Sequence, residues 1–432
     1  MGLSKAVRQS FFGLGSAGAA RRSDEPPAGT RKPWRPFGNG ARFLLGNDPA
    51  AVVSVSLPAE TDVFVVGGGP AGLAAALAAR RNGLEVVVAD RALPPIDKAC
   101  GEGLMPDAVA ALRRIGVELG AADGFLFRGI RFVDDDLEAE ALFPRQPGLG
   151  IRRTVLHQVL AEAAENAGAV TCWQTPVDGL DAGGVSVGGR TVRCRWIIGA
   201  DGVHSKVRQW AGLYPVWNSM RRIGLRQHFH VRPWSDLVEV FWHKHCQAYV
   251  TPIGPEEACV ALVAKEKATR IADIPALFPR LARHLARAEP LRSERGAISI
   301  STKLAAVTRG RIALVGDASG SLDAVTGEGL GLAFRQAISL GAALAAGNLA
   351  TYETSHHRIA RMPRLMQRLL LLMDSSDGFR KRALRAVAAR PLTFSRLLAV
   401  HMGALRPWRA SFDAFDFALR VLASRTVVGQ SM

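Results

Sequence analysis

The sequence feature that most constrains the fold is the run VFVVGGGPAGLAAALAARRNGLEVVVADR, which begins at Val63. It opens with a short β-branched and aromatic segment, which is typical of a buried strand. The glycines that follow, Gly67, Gly69 and Gly72, have the G-x-G-x-x-G spacing. In this spacing the first glycine permits a sharp turn, the second leaves room for a pyrophosphate against the backbone, and the third lets a helix pack close to the strand. The run therefore predicts a phosphate-binding turn between a strand and a helix.

A helix and a second strand are predicted after these glycines. Residues 70–81 are rich in alanine and other good helix formers, and a strand-like segment over 85–89 ends in Asp90. The N–H groups at a helix N-terminus favour phosphate, and an acid at this distance can accept hydrogen bonds from a ribose. This order predicts a dinucleotide site that includes Ala71, Asp90 and Arg91. The alternative is an ordinary glycine-rich turn in an α/β domain.

The first part of the chain predicts no folded domain. Residues 1–58 are rich in Gly, Pro, Arg and Ser, which favours a disordered extension without the apolar centre of a secretory signal. A transit peptide and a start codon assigned too far upstream are both open, and we prefer the second. A further copy of the glycine spacing, GLGSAG at 13–18, lacks the flanking strand and helix, so we interpret it as a chance occurrence.

Composition limits the class of protein. The chain has 432 residues, of which 48% are hydrophobic, enough for a large α/β core. The formal net charge is +17, and fourteen Lys/Arg against five Asp/Glu place +9 of it after residue 350. Because the middle of the chain is close to balanced, no nucleic-acid partner is predicted.

The cysteines and the hydropathy bear on location. The five cysteines are odd in number, widely spaced and without a C-x-x-C pair, so neither a disulfide framework nor a zinc site is predicted. A reducing, cytoplasmic compartment fits this pattern. No run of about eighteen apolar residues occurs, so no membrane span is predicted.

Two further strands are predicted to deliver an aspartate to a glycine-rich turn. Residues 199–208 read GADGVHSKVR, and residues 310–317 read GRIALVGD. Ligands of open α/β sheets bind at the carboxyl ends of strands. Asp317 can accept hydrogen bonds from a polyol such as a ribityl chain. Gly327 and Gly329 open a helix whose N-terminus can face the carbonyl edge of a flavin.

With three motifs in this order, the chain resembles the FAD-dependent oxidoreductases of the para-hydroxybenzoate hydroxylase and geranylgeranyl reductase superfamily, over about residues 60–350. The resemblance implies that the first motif binds the ADP half of FAD. It implies that Arg153, which begins an R-x-x-L segment, contacts the pyrophosphate. It also implies that Asp201 and Gly202 help to hold FAD, and that Asp317 holds the ribityl chain.

Two segments look more like the geranylgeranyl reductases than the aromatic hydroxylases. One is Thr326-Gly327-Glu328-Gly329. On either side of it, Ala324 and Gly331 stand where the hydroxylases usually carry a proline and an asparagine. The other is the Lys98-Ala99-Cys100-Gly101-Glu102 loop, which is predicted to face the flavin, with Gly101 among the cofactor-binding residues. Cys100 is interpreted as a small loop residue, and a redox role is the alternative.

The predicted architecture is an α/β fold with a three-layer, Rossmann-like FAD-binding domain formed by residues 59–213 and 296–350. Strand-like segments with period two predict an antiparallel meander within a substrate-binding domain at 214–295. A basic helical region follows at 351–432. Because no second nucleotide motif is present, NAD(P)H is predicted to bind transiently at the FAD domain as the reductant. Reduction of the flavin by an outside donor is the alternative.

The predicted function is FAD-dependent monooxygenation, by hydroxylation or epoxidation, of a lipophilic isoprenoid, aromatic or polyketide-like substrate. One alternative is saturation of a prenyl double bond. The other is a non-catalytic escort protein on the same fold. The sequence identifies no catalytic acid or base.

Two weaker signals concern metal and membrane. His228 and His230, with His243 and His245, could place four imidazoles on one sheet face, but ordinary pocket or surface histidines are preferred and no metal is predicted. The apolar helical face at 359–373, near the basic cluster at 380–382, fits either packing on the domain or peripheral attachment to an anionic bilayer.

Overall fold

The computed structural model describes residues 57–219, 221–244, 246–265 and 269–423. Nearly all of the predicted extension at 1–58 therefore lies outside the described residues. The helices are α1 (Pro70–Arg81), α2 (Pro106–Arg114), α3 (Arg153–Asn166), α4 (Lys206–Trp210), α5 (Ile274–Leu277), α6 (Pro279–Leu285), α7 (Gly329–Ala345), α8 (Leu349–Ser375), α9 (Asp377–Ala388), α10 (Pro391–His401) and α11 (Ser411–Ala423).

The strands follow the same order along the chain. They are β1 (Glu60–Val66), β2 (Val86–Ala89), β3 (Gly103–Leu104), β4 (Phe125–Phe127), β5 (Gly129–Asp134), β6 (Leu137–Leu142), β7 (Gly148–Gly150), β8 (Val170–Cys172), β9 (Gly179–Leu180), β10 (Gly184–Val187), β11 (Arg190–Gly199), β12 (Pro215–Asn218), β13 (Arg222–His230), β14 (Val238–Trp242), β15 (Cys246–Gly254), β16 (Glu257–Ala264), β17 (Glu289–Pro290), β18 (Arg295–Ser299), β19 (Thr302–Leu304), β20 (Thr308–Arg309) and β21 (Ile312–Leu314).

The first sheet is mainly parallel. Its strands lie in the order β20-β21-β11-β1-β2-β8, and β1 pairs in parallel with both β11 and β2. The apolar run 63–66 is buried, as expected for a strand covered on both faces. Helix α7 packs so closely on α1 that a Cβ at Gly341 would lie 2.8 Å from the Ala78 carbonyl oxygen. This confirms the predicted α/β class with a Rossmann-like, FAD-binding architecture.

The second sheet is larger than the sequence predicts and has a different strand order. Its order is β17-β13-β16-β15-β14-β5-β6, with β18 also pairing with β13. Strand β13 lies beside β16 rather than β14, so the predicted simple meander is wrong for its first strand. Strands β5 and β6 come from outside 214–295 and join through parallel pairing of β5 with β14. Such pairing joins distant parts of the chain, so local periodicity cannot show it.

Helices α8 to α11 form a cap over the second sheet, and we use this name for residues 349–423. Helix α8 runs through Pro363 without ending. Side chains of α8 and α9, including Leu370, Met373 and Leu384, pack with Val240 and Trp242 of β14. Among the described residues, no helix is both long and apolar enough to span a bilayer.

The cap also corrects the expectation for the basic cluster at 380–382. Arg380 is only 3% exposed, and its Nε lies 2.9 Å from Asp134 Oδ2 on β5. Lys381 Nζ lies 3.0 Å from Asp135 Oδ2. Because Arg380 is buried against the second sheet, its charge is not available to a bilayer surface.

Candidate FAD and substrate site

The glycines of the first motif have the geometry that phosphate binding needs. Gly67 has φ +109°, and a Cβ there would lie 2.5 Å from the Ala200 carbonyl oxygen. A Cβ at Gly72 would lie 1.9 Å from the Gly67 carbonyl oxygen, so this glycine lets α1 approach the turn. Gly69 caps α1 and has nothing within 4 Å of its Cβ position. The backbone N–H groups at the start of α1 therefore border open space.

Three aspartates follow the carboxyl ends of strands β2, β11 and β21 of the first sheet. Asp90 follows β2, and its carboxylate accepts hydrogen bonds from the N–H groups of Gly68 at 2.7 Å and Ala92 at 2.8 Å. Asp201 follows β11 and accepts the Lys206 N–H at 2.7 Å. Asp317 follows β21, and Lys98 Nζ lies 3.2 Å from its Oδ2. Each carboxylate keeps further lone pairs for a ribose or polyol.

Arg153 is held at the first turn of α3 by an acid that the sequence analysis did not select. Its backbone N–H donates to Glu102 Oε1 at 2.9 Å. The buried Nε of Arg153 has no hydrogen-bond partner in the described part of the chain. A guanidinium so placed fits the predicted contact with a pyrophosphate.

One large cavity brings the predicted site residues together. Its volume is about 1310 Å³, which exceeds the roughly 300–1,000 Å³ of ordinary ligand pockets and leaves room for a second molecule beside a dinucleotide. Of the predicted residues, Gly72 does not line this cavity. The others line it: Gly67, Gly69, Ala71, Asp90, Arg91, Gly101, Arg153, Asp201, Gly202, Asp317, Gly327 and Gly329.

These residues fit FAD, and the comparison with protein families agrees. Residues 60–361 match the family model described as FAD binding domain, FAD_binding_3. The chain belongs to this family. As a member, it is an FAD-dependent oxidoreductase, which sets aside the hypothesis of a non-catalytic escort protein.

Named relatives include both reductases and oxygenases. The chain is 28% identical over 312 residues to menaquinone reductase of Mycobacterium tuberculosis, covering 64% of this chain and 74% of the relative. It is 37% identical over 180 residues to 6-methylpretetramide 4-monooxygenase of Streptomyces rimosus, covering 36% and 41%. The fold is similar to that of a geranylgeranyl bacteriochlorophyll reductase-like protein of Thermoplasma acidophilum, with a TM-score of 0.68, 19% identity, and coverage of 83% and 99%.

Two hydroxyl groups of the second sheet, which line the cavity, bind the loop at 98–102 and the turn at 324–327. Thr251 Oγ1 donates to the Gly101 carbonyl oxygen at 2.7 Å. Tyr249 Oη donates to the Val325 carbonyl oxygen at 2.8 Å, and burial raises the pKa of Tyr249, which keeps this phenol neutral. Both loops thus depend on the second sheet for their position.

Apolar side chains extend the cavity beneath the cap. The apolar face of α8 points into it through Met362, Leu365, Met366, Leu369, Leu370 and Met373. Phe132 of β5 and Phe394 of α10, whose ring centroids are 5.3 Å apart, also line it. The apolar face that suggested membrane attachment is therefore mostly a wall of this cavity.

A titratable pair lies in the same cavity wall. His401 Nε2 on α10 lies 2.8 Å from Glu328 Oε1, which directly precedes α7. Both side chains are buried, and His401 Nδ1 and Glu328 Oε2 lack hydrogen-bond partners among the described residues. Asp107 and Arg335 pair nearby at 3.2 Å. Burial raises the pKa of Asp107, partly offset by the charge of Arg335.

The four histidines considered in the sequence analysis do not form one shared site. His228 and His230 lie on β13, whereas His243 follows β14. Because β16 and β15 separate these two strands, His243 does not share a site with the pair on β13. His245 lies outside the described residues. His228 joins Glu102 and Cys259 in a buried group whose potential ligand atoms lie within 4.8 Å of one another. The Arg226 guanidinium is 3.0 Å from His228 Nε2, so a positive charge already lies there and the group is better described as a hydrogen-bond network.

Glu102, Glu328 and His401 are the functional candidates that the sequence analysis missed. Glu102 and Glu328 lie inside two motifs that it quoted, but their glycines drew the interpretation. Glu102 adopts φ +58°, a conformation that costs a non-glycine residue about 1–3 kcal/mol and is common at functional sites. His401 lies far along the chain, and no local pattern marks it.

Proposed function

We propose that this FAD-dependent oxidoreductase reduces a carbon–carbon double bond in a lipophilic, isoprenoid-bearing substrate. The observation that carries the proposal is the apolar cavity beneath the cap, with the His401–Glu328 pair in its wall. A long alkyl or isoprenoid chain matches the Met, Leu and Phe lining. The proposal revises the preference for monooxygenation that the sequence analysis reached.

In the proposed reaction the cofactor and the protein have different roles. FAD, when bound, supplies hydride chemistry, and NAD(P)H is the proposed reductant. We propose that the motif residues that line the cavity hold FAD. Reduction of a double bond needs one proton for each hydride, and the pair of Glu328 and His401 can supply it beside the start of α7.

The relatives support a reductase over a longer stretch of chain than an oxygenase. The menaquinone reductase match extends over 312 residues, against 180 for 6-methylpretetramide 4-monooxygenase. Menaquinone carries an isoprenoid chain, which is the kind of group that the cavity under the cap suits. Monooxygenation of a lipophilic polycyclic substrate is the second candidate, because the chain is also 37% identical over 180 residues to that monooxygenase.

An anaerobic assay separates these candidates. The holoenzyme is supplied with NADPH or dithionite and with a panel of isoprenoid quinones, isoprenoid alcohols and polycyclic phenols. Mass spectrometry then identifies the products by their mass change. After any quinol has been reoxidised in air, we expect a product that retains two added hydrogens, that formed without O₂ and that carries deuterium when the assay is run in D₂O. A product that gains oxygen, and forms only in air, would establish the monooxygenase instead.

A further inference from the structure

The cap carries an apolar surface that no described element covers. On α11, four large side chains lie on one stripe and point outward: Phe412, Phe415, Leu419 and Leu422. Phe412 is 78% exposed and Leu422 is 80% exposed. Because an α-helix rises 1.5 Å per residue, this stripe is roughly 15 Å long. We name it, with Trp408 and Leu392, the cap stripe.

Contacts between the helices make the cap stripe continuous. Thr393 Oγ1, next to Leu392, lies 3.4 Å from Asp413 Oδ1, next to Phe412. The guanidinium of Arg406 lies 4.9 Å from the centre of the Trp408 ring. The start of α10, the turn at 407–410 and the start of α11 therefore present one apolar surface.

Positive charge borders this surface at the Trp408 end, and its acids are paired with arginines. Arg406 and Arg409 are exposed beside Trp408. Asp413 is bound by Arg396 at 2.8 Å, and Asp416 by Arg420 at 2.7 Å. An apolar, aromatic helix face with an arginine rim is typical of segments that lie in the interface of an anionic bilayer.

The cap stripe also borders an opening of the cavity. Leu365 of α8, Pro407 and Ala414 each line the cavity and are each exposed. Pro407 directly precedes Trp408, and Ala414 lies between Phe412 and Phe415 in the sequence. The same helix thus shows one face to the exterior and another to the cavity, where Phe417 also lies.

We propose that the cap stripe docks on an anionic bilayer surface and that lipophilic substrate passes from the bilayer through this opening into the cavity. A bilayer complements both the apolar stripe and its rim. A second copy of this chain would bring the two arginine rims against each other in a twofold interface, which like charges disfavour. The anchor therefore lies on α11 and the preceding turn, rather than on 380–382.

Vesicle co-sedimentation of the full-length holoenzyme tests this without any substrate, so its outcome is independent of the proposed reaction. We expect binding to vesicles that contain phosphatidylglycerol, weaker binding to neutral phosphatidylcholine vesicles, and weakening at about 1 M salt, where the Debye length falls to about 3 Å. Phe412→Ser/Phe415→Ser/Leu422→Ser and Arg406→Glu/Arg409→Glu should each bind at least about tenfold more weakly.

Matched variants separate this surface from the general positive charge of the chain. Tyr214→Ser/Val216→Ser removes exposed apolar groups elsewhere, and Arg283→Glu/Arg287→Glu reverses exposed charges outside the cap. We expect both to bind as the wild type does. FAD absorbance and melting temperature show that all variants are folded.

Three results would overturn the proposal. The first is a wild-type protein that stays in the supernatant with anionic vesicles at low salt. The second is an equal loss of binding in the charge control outside the cap, which would show unspecific attraction. The third is a dimer in ultracentrifugation that the apolar cap variant abolishes, which would make the stripe an interface between copies.

Discussion

His401 Nε2 lies 2.8 Å from Glu328 Oε1 and so joins the cap to the turn that begins α7. Glu328 belongs to the segment that matches the FAD-binding family, whereas His401 lies beyond its end at residue 361. The proposed acid–base pair therefore combines one residue of the common FAD scaffold with one from the region outside it. This arrangement can adapt the chemistry of a shared cofactor to the substrate beneath the cap.

Replacing either member of this pair is expected to slow turnover and leave FAD binding intact. His401→Leu removes the imidazole of the pair, and Glu328→Gln removes the carboxylate that contacts it. Because general acid catalysis contributes about 10²–10⁴-fold, we expect turnover to fall at least about 100-fold. His357→Leu is the control, since His357 is half-exposed and absent from the cavity wall. Unchanged turnover with normal absorbance would remove the pair from the mechanism.

Two substitutions among the predicted FAD-binding residues are expected to lower cofactor content without unfolding the chain. Gly69→Val places a branched side chain in the open space at the start of α1, and Asp317→Ala removes an acceptor at the end of β21. Absorbance of flavin per protein measures the effect. Gly15→Val is the matched control, because Gly15 lies in the chance copy of the glycine spacing at 13–18. This variant should retain FAD. Full flavin occupancy in both Gly69→Val and Asp317→Ala would contradict the site assignment.

Arg380 is expected to act in stability rather than in surface binding. Arg380→Glu leaves Asp134 buried without its partner, and breaking a buried pair costs about 3–5 kcal/mol. Lys381→Glu is the matched control, because its pair with Asp135 is exposed and such pairs contribute about 0–1 kcal/mol. Urea denaturation gives the free energy of unfolding for both variants. Equal values for the two variants would show that the Arg380 contact is not formed.

The buried Asp374 is expected to make stability depend on pH. Burial favours its protonated form, but hydrogen bonds from Arg222 at 2.6 Å and Lys265 at 2.8 Å outweigh this and lower the pKa of Asp374. A carboxyl with a lowered pKa stabilises the fold above its unfolded value of about 3.9, and this contribution is lost as pH falls through the folded value.

Asp374→Asn should therefore be less stable than the wild type at pH 7, by about 3 kcal/mol, and the difference should shrink below pH ~4. The comparison uses the difference between variants because Asp323, on the same Arg222, has a pKa that burial raises. Denaturation curves across this pH range measure it. A difference that stays constant with pH would contradict the assignment of the charge.

The sequence by itself determined the FAD-binding half of the molecule. Its signals are local, since a sharp turn, an open helix N-terminus and an aspartate at a strand end are each set within a few residues. Gly67, Gly69, Asp90 and Asp317 therefore line one cavity as their motifs imply. The fold class followed from the same strand–turn–helix order.

Only the tertiary structure decided which faces of the cap helices line the cavity and which are exposed. An amphipathic helix has the same pattern whether its apolar face covers a cavity, as α8 does, or is exposed, as on α11. Arg380 looks like any surface cation until Asp134, from a distant strand, is seen beside it. The pair of Glu328 and His401 exists only because the cap folds over the start of α7. These contacts depend on which distant segments pack together, and local spacing carries no record of that choice.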